Sequence, residues 1–224
     1  MEALLRKLLI AGSALVACEF AGPASAQPAP PPTPPISAFR GTVAHYTLTP
    51  RGDVDGLILA DGTEVHLPPH LSTALVFAVK LGDAVTVRGL RAYSIPMIEA
   101  VSVTNDVSGQ SVVDTGPQGG PGRPGAPGQP MSVQGRIKSA LHGPGGEING
   151  AVLDDGTILR LPPHEAQGLT ALLAPGQNVV AQGDGLTTPM GRVVDVRALG
   201  QAAAALTNIQ PPLPGPVPPP PPRP

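Results

Sequence analysis

One ten-residue phrase occurs twice in this chain and constrains its fold more than any other feature. DGTEVHLPPH at residues 61–70 returns as DGTILRLPPH at residues 155–164, an offset of 94 positions (from 61 to 155). The match needs no gap from Gly41 to Gly89, and one deletion then aligns Pro96-Met97 with Pro189-Met190. A repeat of this kind indicates an internal duplication of a module of about 70 residues, enough for one small core.

Each module shows the pattern of a small β-structure with one helix. Asp61-Gly62 is a strong hairpin signal between two apolar runs, and Pro68-Pro69 ends the run that follows. Leu71 and Leu75 recur at helical spacing, which predicts one short helix at 71–79. The predicted strands are 39–48, 54–60, 63–67, 84–93 and 97–104; the second copy repeats this order, with its helix at 165–173.

The repeated phrase is explained by two recurring corners of the fold. The DGT segment is typical of a tight turn, since glycine adopts positive φ without strain and aspartate tolerates the turn. The LPPH segment is typical of a strand that leads into a helix. Proline has no backbone N–H, and in the first turn of a helix that group would have no hydrogen-bond partner anyway. We therefore interpret Pro69, His70, Pro163 and His164 as a repeated structural corner.

Each module has three predicted strands, one helix and two further strands. This order resembles that of the OB-fold, a five-stranded barrel. The resemblance covers both modules through the DGT…LPPH phrase and the later LGD and PGQ turns. It implies a mainly β protein with two tandem OB-fold-like five-stranded barrels, each with one short helix between strands 3 and 4. The chain also resembles uncharacterised exported bacterial proteins that carry repeated DGT…PPH motifs.

The N-terminal segment has the pattern of a secretory signal peptide. Arg6 and Lys7 precede the apolar run Leu8–Ala17, and a small-x-small site ends at Ala26. We expect a periplasmic or secreted protein without cysteine after cleavage. Alternatively, LVAC ending at Cys18 resembles a lipobox, and a lipid on Cys18 would anchor the chain to a membrane.

Low-complexity segments divide the rest of the chain. The lead, the connector and the tail are rich in proline or glycine and cannot bury enough apolar surface to offset their ordering entropy. The predicted organisation is a signal peptide at 1–26, a disordered proline-rich lead at 27–37, module 1 at 38–106, a Gly/Pro-rich linker at 107–130, module 2 at 131–202 and a disordered proline-rich tail at 203–224.

A metal site is one hypothesis for the histidines. His45, His66 and His70 lie near one another in sequence, and three imidazoles are a common ligand set for zinc or copper. However, the second copy has Ser139 and Arg160 in place of the first two. The pattern therefore favours a structural role and keeps a metal- or small-ligand site as an alternative; no cofactor is expected.

Nucleic-acid or oligosaccharide binding is a second hypothesis that the barrel suggests, with Arg40, Arg88 and Arg91 as the candidate ligand-binding residues. Module 1 has five basic against seven acidic residues, and the whole chain has two tyrosines, three phenylalanines and no tryptophan. Such a surface offers neither the positive groove nor the stacking aromatics of a single-strand binder. The sequence therefore argues against nucleic acid as a partner.

The sequence lacks the common catalytic signatures. The chain has no Gly-x-Ser-x-Gly elbow, no phosphate-binding glycine loop and no His-Glu-x-x-His helix. We therefore expect a non-enzymatic, exported binding or adaptor protein of the bacterial cell envelope, whose partner is an unknown envelope protein or small ligand. A membrane partner is expected only if Cys18 is lipidated.

Overall fold

A computed structural model describes residues 36–116 and 127–210. The predicted signal peptide, Cys18, almost all of the proline-rich lead, the middle of the linker and the end of the tail lie outside these residues. Within them, no helix is long and apolar enough to cross a membrane.

The described residues form two copies of one order of elements. The first barrel contains β1 (Ser37–Leu48), β2 (Val54–Leu59), β3 (Glu64–His66), a 3₁₀ turn (Pro69–Leu71), α1 (Ser72–Ala78), β4 (Ala84–Arg91), β5 (Met97–Asn105) and β6 (Ser111–Val113). The second barrel contains β7 (Gln129–His142), β8 (Ile148–Leu153), β9 (Ile158–Arg160), α2 (Pro163–Gly168), β10 (Asn178–Thr188), β11 (Gly191–Gly200) and β12 (Thr207–Asn208).

Strand pairing closes five strands of each copy into a barrel. The long β1 pairs with β4 through residues 37–42 and with β2 through residues 43–48. β3 pairs antiparallel with β2 and parallel with β5, and β4 pairs with β5. Strands β7 to β11 repeat every one of these pairings. The prediction of two tandem OB-like barrels, each with a short helix between strands 3 and 4, is confirmed.

The repeated phrase has the predicted structure. Gly62 turns the chain from β2 to β3 with a φ of 85°, and the carboxylate of Asp61 accepts a hydrogen bond from the Thr63 N–H at 2.9 Å. Pro69 occupies the first turn of its helical segment, where its missing N–H leaves no bond unmade. The second copy repeats both corners, with Pro163 at the start of α2.

Ordered structure extends beyond two predicted boundaries. The linker predicted from residue 107 contains β6, and the tail predicted from residue 203 contains β12 and the buried Ile209. Both short strands pair with the same part of the fifth strand of their barrel. The predicted helix at 165–173 is shorter and earlier, at Pro163–Gly168, and is followed by turns.

The sequence alignment beyond Gly89 is corrected by strand register. In the parallel pairing of the third and fifth strands, Glu64 lies opposite Met97 and Ile158 lies opposite Val193. Met97 therefore corresponds to Val193, not to Met190, and the second copy is two residues longer between these strands. The Pro-Met match falls in a hairpin, whose length can change without disturbing the barrel.

The two barrels share part of their apolar cores, although the second barrel also has a buried cluster of its own. Leu141, Val152, Ile158 and Val193 of the second barrel belong to the same buried cluster as the core of the first. The corresponding positions of the first barrel are also buried: Thr47, Ile58, Glu64 and Met97. The barrels therefore pack through equivalent faces, in a pseudo-two-fold arrangement within one chain.

This packing predicts the effect of a truncation at the shared core. Leu141→Ala should lower the free energy of unfolding by about 2–5 kcal/mol, because it leaves a cavity between the barrels. Urea unfolding followed by circular dichroism measures the change. Val107→Ala is the matched control, since Val107 is exposed and its truncation should change stability by no more than about 0.5 kcal/mol. Equal effects of the two substitutions would contradict a shared core.

Candidate functional site

The loops at the ends of the barrels contact each other reciprocally. A Cβ built on Gly52, between β1 and β2, would lie 3.5 Å from side-chain atoms of Leu186 and Thr188 at the end of β10. A Cβ built on Gly146, between β7 and β8, would lie 3.5 Å from Ile95, between β4 and β5. Each loop between the first two strands thus lies against the hairpin between strands 4 and 5 of the other barrel.

This contact covers the surface that OB-folds commonly use for ligands. Oligonucleotides and oligosaccharides bind across strands 2 and 3, between the loop that joins strands 1 and 2 and the loop that joins strands 4 and 5. In this chain each of those faces is buried against the other barrel. A ligand of either barrel must therefore use a different face.

Glu64 is a buried carboxylate at the centre of the contact. Its Oε2 accepts a hydrogen bond from the His142 N–H at 2.9 Å, and its Oε1 lies 2.7 Å from His142 Nδ1. His66 Nε2 lies 3.5 Å from Oε2. Burial alone would raise the pKa of Glu64, but the hydrogen bonds from His66 and His142 hold that pKa below its usual value. Glu64 is therefore an ionised group that joins the barrels.

Arg160 makes the corresponding contact from the second barrel. Its Nε donates to the Leu48 carbonyl at 2.8 Å, and its Nη2 lies 2.7 and 2.9 Å from the two carboxylate oxygens of Asp55. Its Nη1 donates to Asn149 at 3.3 Å. Arg160 occupies the position that His66 has in the first barrel. The arginine at this position serves the contact between the barrels and is not the replacement of a metal ligand.

The three histidines of the metal hypothesis take three separate partners. His45 Nε2 lies 2.9 Å from Lys138 Nζ, and both burial and the charge of Lys138 lower the pKa of His45. His66 lies beside Glu64, whereas His70 lies 3.7 Å from Asp114. In the part of the chain that the structure describes, no three histidine, cysteine or acidic side chains are placed to hold a metal ion. The structure does not bring His45, His66 and His70 together.

The corner histidine of the second copy, His164, lies 3.8 Å from the Glu165 carboxylate and is exposed. The predicted arginines lie on strands β1 and β4 of the first barrel. Arg40 and Arg88 stand on the outer face of the β1–β4 pair, and Arg91 lies over the Phe39 ring at 5.6 Å. Among the described residues, none of the three arginines has an ion pair.

Large exposed apolar side chains distinguish the barrels. The second barrel has none among its described residues, and all eight belong to the first barrel and its N-terminal edge: Ile36, Phe77, Leu81, Leu90, Tyr93, Val101, Val107 and Val113. At five positions the second barrel has a small, polar or charged residue or proline instead: Ala171, Pro175, Asp184, Arg197 and Asn208. Because both barrels have the same fold, these side chains are not needed to form it.

Three of these side chains lie on segments that meet at Asn105, and we name them the Phe77 end (Phe77, Leu81 and Val107); Leu81 also lines a cleft with Met190 of the second barrel. Asn105 holds this end together: its Nδ2 donates to the Ala78 carbonyl at 3.0 Å and to Asp83 at 2.6 Å. Its Oδ1 accepts from the Val107 N–H at 2.9 Å. The end of α1, the turn before β4 and the turn after β5 are thus fixed relative to one another.

A cleft of about 490 Å³ lies between the barrels, with Pro50, Pro162 and Ile209 among its apolar walls. Its arginines are already paired: Arg160 with Asp55, and Arg197 with Asp195 at 3.0 Å. Burial raises the pKa of Asp195, and the Arg197 charge opposes that rise. The cleft therefore offers no unpaired guanidinium to an anionic ligand.

Fold and contacts together define a protein of two OB-like barrels that pair through their strand 2–3 faces. No family model matches the chain, and no curated protein matches its sequence. Among solved structures, the chain is similar to a deletion mutant of the single-stranded DNA-binding protein from Thermus aquaticus, at 14% identity and a TM-score of 0.25 over 79% of this chain and 96% of that one. The wild-type structure of that protein matches at 14% identity and a TM-score of 0.24, over 73% and 90% of the two chains. Similarity this low carries no argument about function.

The pKa of Glu64 predicts how acid affects the contact. The pKa of Glu64 is lower in the folded chain than its value of 4.5 in the unfolded chain, so ionised Glu64 stabilises the fold at pH values above 4.5. This stabilisation is lost as the pH falls through the folded-state pKa. Glu64→Gln should therefore be less stable than the wild type at neutral pH, with a smaller loss of stability between neutral pH and about pH 3. Urea unfolding at several pH values measures both curves. Parallel curves would show that Glu64 is not ionised in the contact.

Removal of Arg160 tests the second polar contact. Arg160→Ala leaves Asp55 and the Leu48 carbonyl without their donors and should cost about 3 kcal/mol of stability. Arg192→Ala is the matched control, because the Arg192–Asp155 pair is exposed, is 3.9 Å long and should be worth less than about 1 kcal/mol. Thermal unfolding of both variants gives the comparison. A loss for Arg160→Ala as small as that of the control would rule out this structural role.

Proposed function

We propose that this chain is an exported, non-catalytic binding or adaptor protein of the bacterial cell envelope, with a protein partner on the first barrel. One observation carries the proposal: all of the large exposed apolar side chains among the described residues belong to the first of two barrels with the same fold. Apolar side chains that the fold does not require, kept on one copy alone, favour a surface that a partner covers.

The Phe77 end has the physical properties of a docking surface. Phe77 is 75% exposed and Val107 is 84% exposed, yet the segments that carry them are held by the hydrogen bonds of Asn105. Aromatic side chains on rigid elements make strong contact points, because little conformational entropy is lost on binding. The Lys80 ammonium lies 5.9 Å from the Phe77 ring and adds a positive rim.

The covered strand 2–3 faces favour a protein over a nucleic acid or an oligosaccharide. Those ligands would have to bind outside the usual OB-fold surface, where Arg91 already lies over the Phe39 ring at 5.6 Å. The separate partners of His45, His66 and His70 likewise favour the adaptor over the metal-binding alternative. The export step rests on the N-terminal pattern, and intact mass of the periplasmic protein should give a chain that begins at Gln27.

Site-specific photocrosslinking in living cells tests the partner surface. A benzophenone amino acid in place of Phe77 should form an adduct with one protein, whereas the same probe in place of Ala171, its counterpart in the second barrel, should not. Leu81→Ser with Val107→Ser should remove the adduct at position 77, since these substitutions remove the flanking apolar contacts. Equal adducts at the two positions, or no adduct at position 77, would contradict the proposal.

Fluorescence anisotropy with a labelled oligothymidine checks the alternative. The proposal expects no saturable binding at low salt. Tight binding that weakens steeply with salt and is lost on replacement of Arg40 and Arg88 would instead establish a nucleic-acid surface.

A further inference from the structure

A second apolar surface lies on the outer face of β4 and β5, and its pattern is complementary to itself. Leu90 lies opposite Glu99 in the strand pairing, and Arg88 lies opposite Ser102. Between these pairs, Val101 is the extra residue of a β-bulge. Arg88, Leu90, Glu99 and Val101 thus form a four-residue group, the Leu90 face, with the apolar residues on one diagonal and the charged residues on the other.

The second barrel contains the same group with a different chemistry. Gln182, Asp184, Asp195 and Arg197 occupy the four positions, and Arg197 is the extra residue of the same bulge. Arg197 Nη2 lies 3.4 Å from the Asp184 carboxylate and 3.0 Å from the Asp195 carboxylate. The charges of the second barrel are therefore paired within the group.

The charges of the Leu90 face are not paired with each other. Among the described residues, neither Arg88 nor Glu99 makes a hydrogen bond or an ion pair through its side chain. Burial raises the pKa of Glu99, the charge of His66 opposes that rise and the charge of Asp114 adds to it, so a further cation beside Glu99 would stabilise the ionised form. Leu90 is 56% exposed between them.

We propose that the Leu90 face pairs two copies of this chain. A two-fold axis along the Leu90–Val101 diagonal places Leu90 on Leu90 and Val101 on Val101. The same axis places Arg88 of each copy against Glu99 of the other copy. The dimer therefore contains two equivalent Arg88–Glu99 ion pairs. Charge complementarity with itself is what distinguishes this face from a surface for an unrelated protein.

This pairing goes beyond the proposed adaptor function and does not depend on it. The Leu90 face lies on strands β4 and β5, whereas the Phe77 end lies on α1 and the turns around Asn105. Two paired copies present two Phe77 ends, which increases avidity for a partner that offers more than one site.

The molar mass in solution of the chain from Gln27 tests the pairing. Sedimentation equilibrium should give a reversible dimer, with twice the molar mass of the monomer, across a concentration series centred on about 10 μM, which corresponds to a binding free energy of roughly −7 kcal/mol. Leu90→Asp with Val101→Arg should be monomeric throughout. These substitutions place the ion pair of the second barrel on the same bulge, so unfolding should confirm a folded chain.

Charge reversal gives the sharper arm of the experiment. Arg88→Glu and Glu99→Arg should each abolish the dimer, and the double variant should restore it, because each reversed charge then meets its opposite in the other copy. Phe77→Ala should keep the dimer, which separates this result from the partner surface. A wild-type chain that is monomeric at every concentration, or a double variant that stays monomeric, overturns the pairing. So does a monomer whose Leu90 face binds vesicles of anionic lipid.

Discussion

The apolar contact between the two barrels is the interaction on which the rest of the structure depends. It buries both faces of strand β2 and both faces of strand β8. In each strand, one face packs against the core of its own barrel and the opposite face packs against the neighbouring barrel. That double burial explains why Val54–Leu59 is almost entirely buried and does not alternate between apolar and polar residues. The contact also determines which surfaces are left for binding, because the faces that OB-folds usually offer to ligands are used internally.

The polar groups inside this contact determine its geometry more than its strength. A buried ion pair adds little net stability compared with an apolar replacement, but it is costly when one partner is missing. Any other arrangement of the barrels would leave Glu64 without His142 and Arg160 without Asp55. The two pairs therefore select one orientation, which fixes the relative positions of the outer faces that we propose for partners.

Much of the fold could be predicted because turns and periodic strands are local signals. Gly62 and Pro69 mark their corners whatever lies around them, and the repeat showed the same order twice. The contact between the barrels could not be predicted in this way, because it joins residues that are far apart in the sequence. The sixth strands escaped prediction because three residues such as Ser111–Val113 carry no periodicity.

The candidate site was harder to predict than the fold. Arg160 in place of His66 argued against a metal site, but the sequence did not show that the two residues are counterparts in a two-fold contact, which only the arrangement of the barrels reveals. Arg88, which the sequence indicated as a candidate ligand-binding residue, lies on an exposed strand face, whereas its neighbours Leu90 and Val101 gave no signal in sequence. The pseudo-two-fold contact has one further consequence. In a dimer of single barrels, every substitution at the contact would appear on both sides of the axis at once. With both barrels in one chain, each side can change independently, so a glutamate at position 64 can face a histidine while its counterpart at position 158 remains isoleucine.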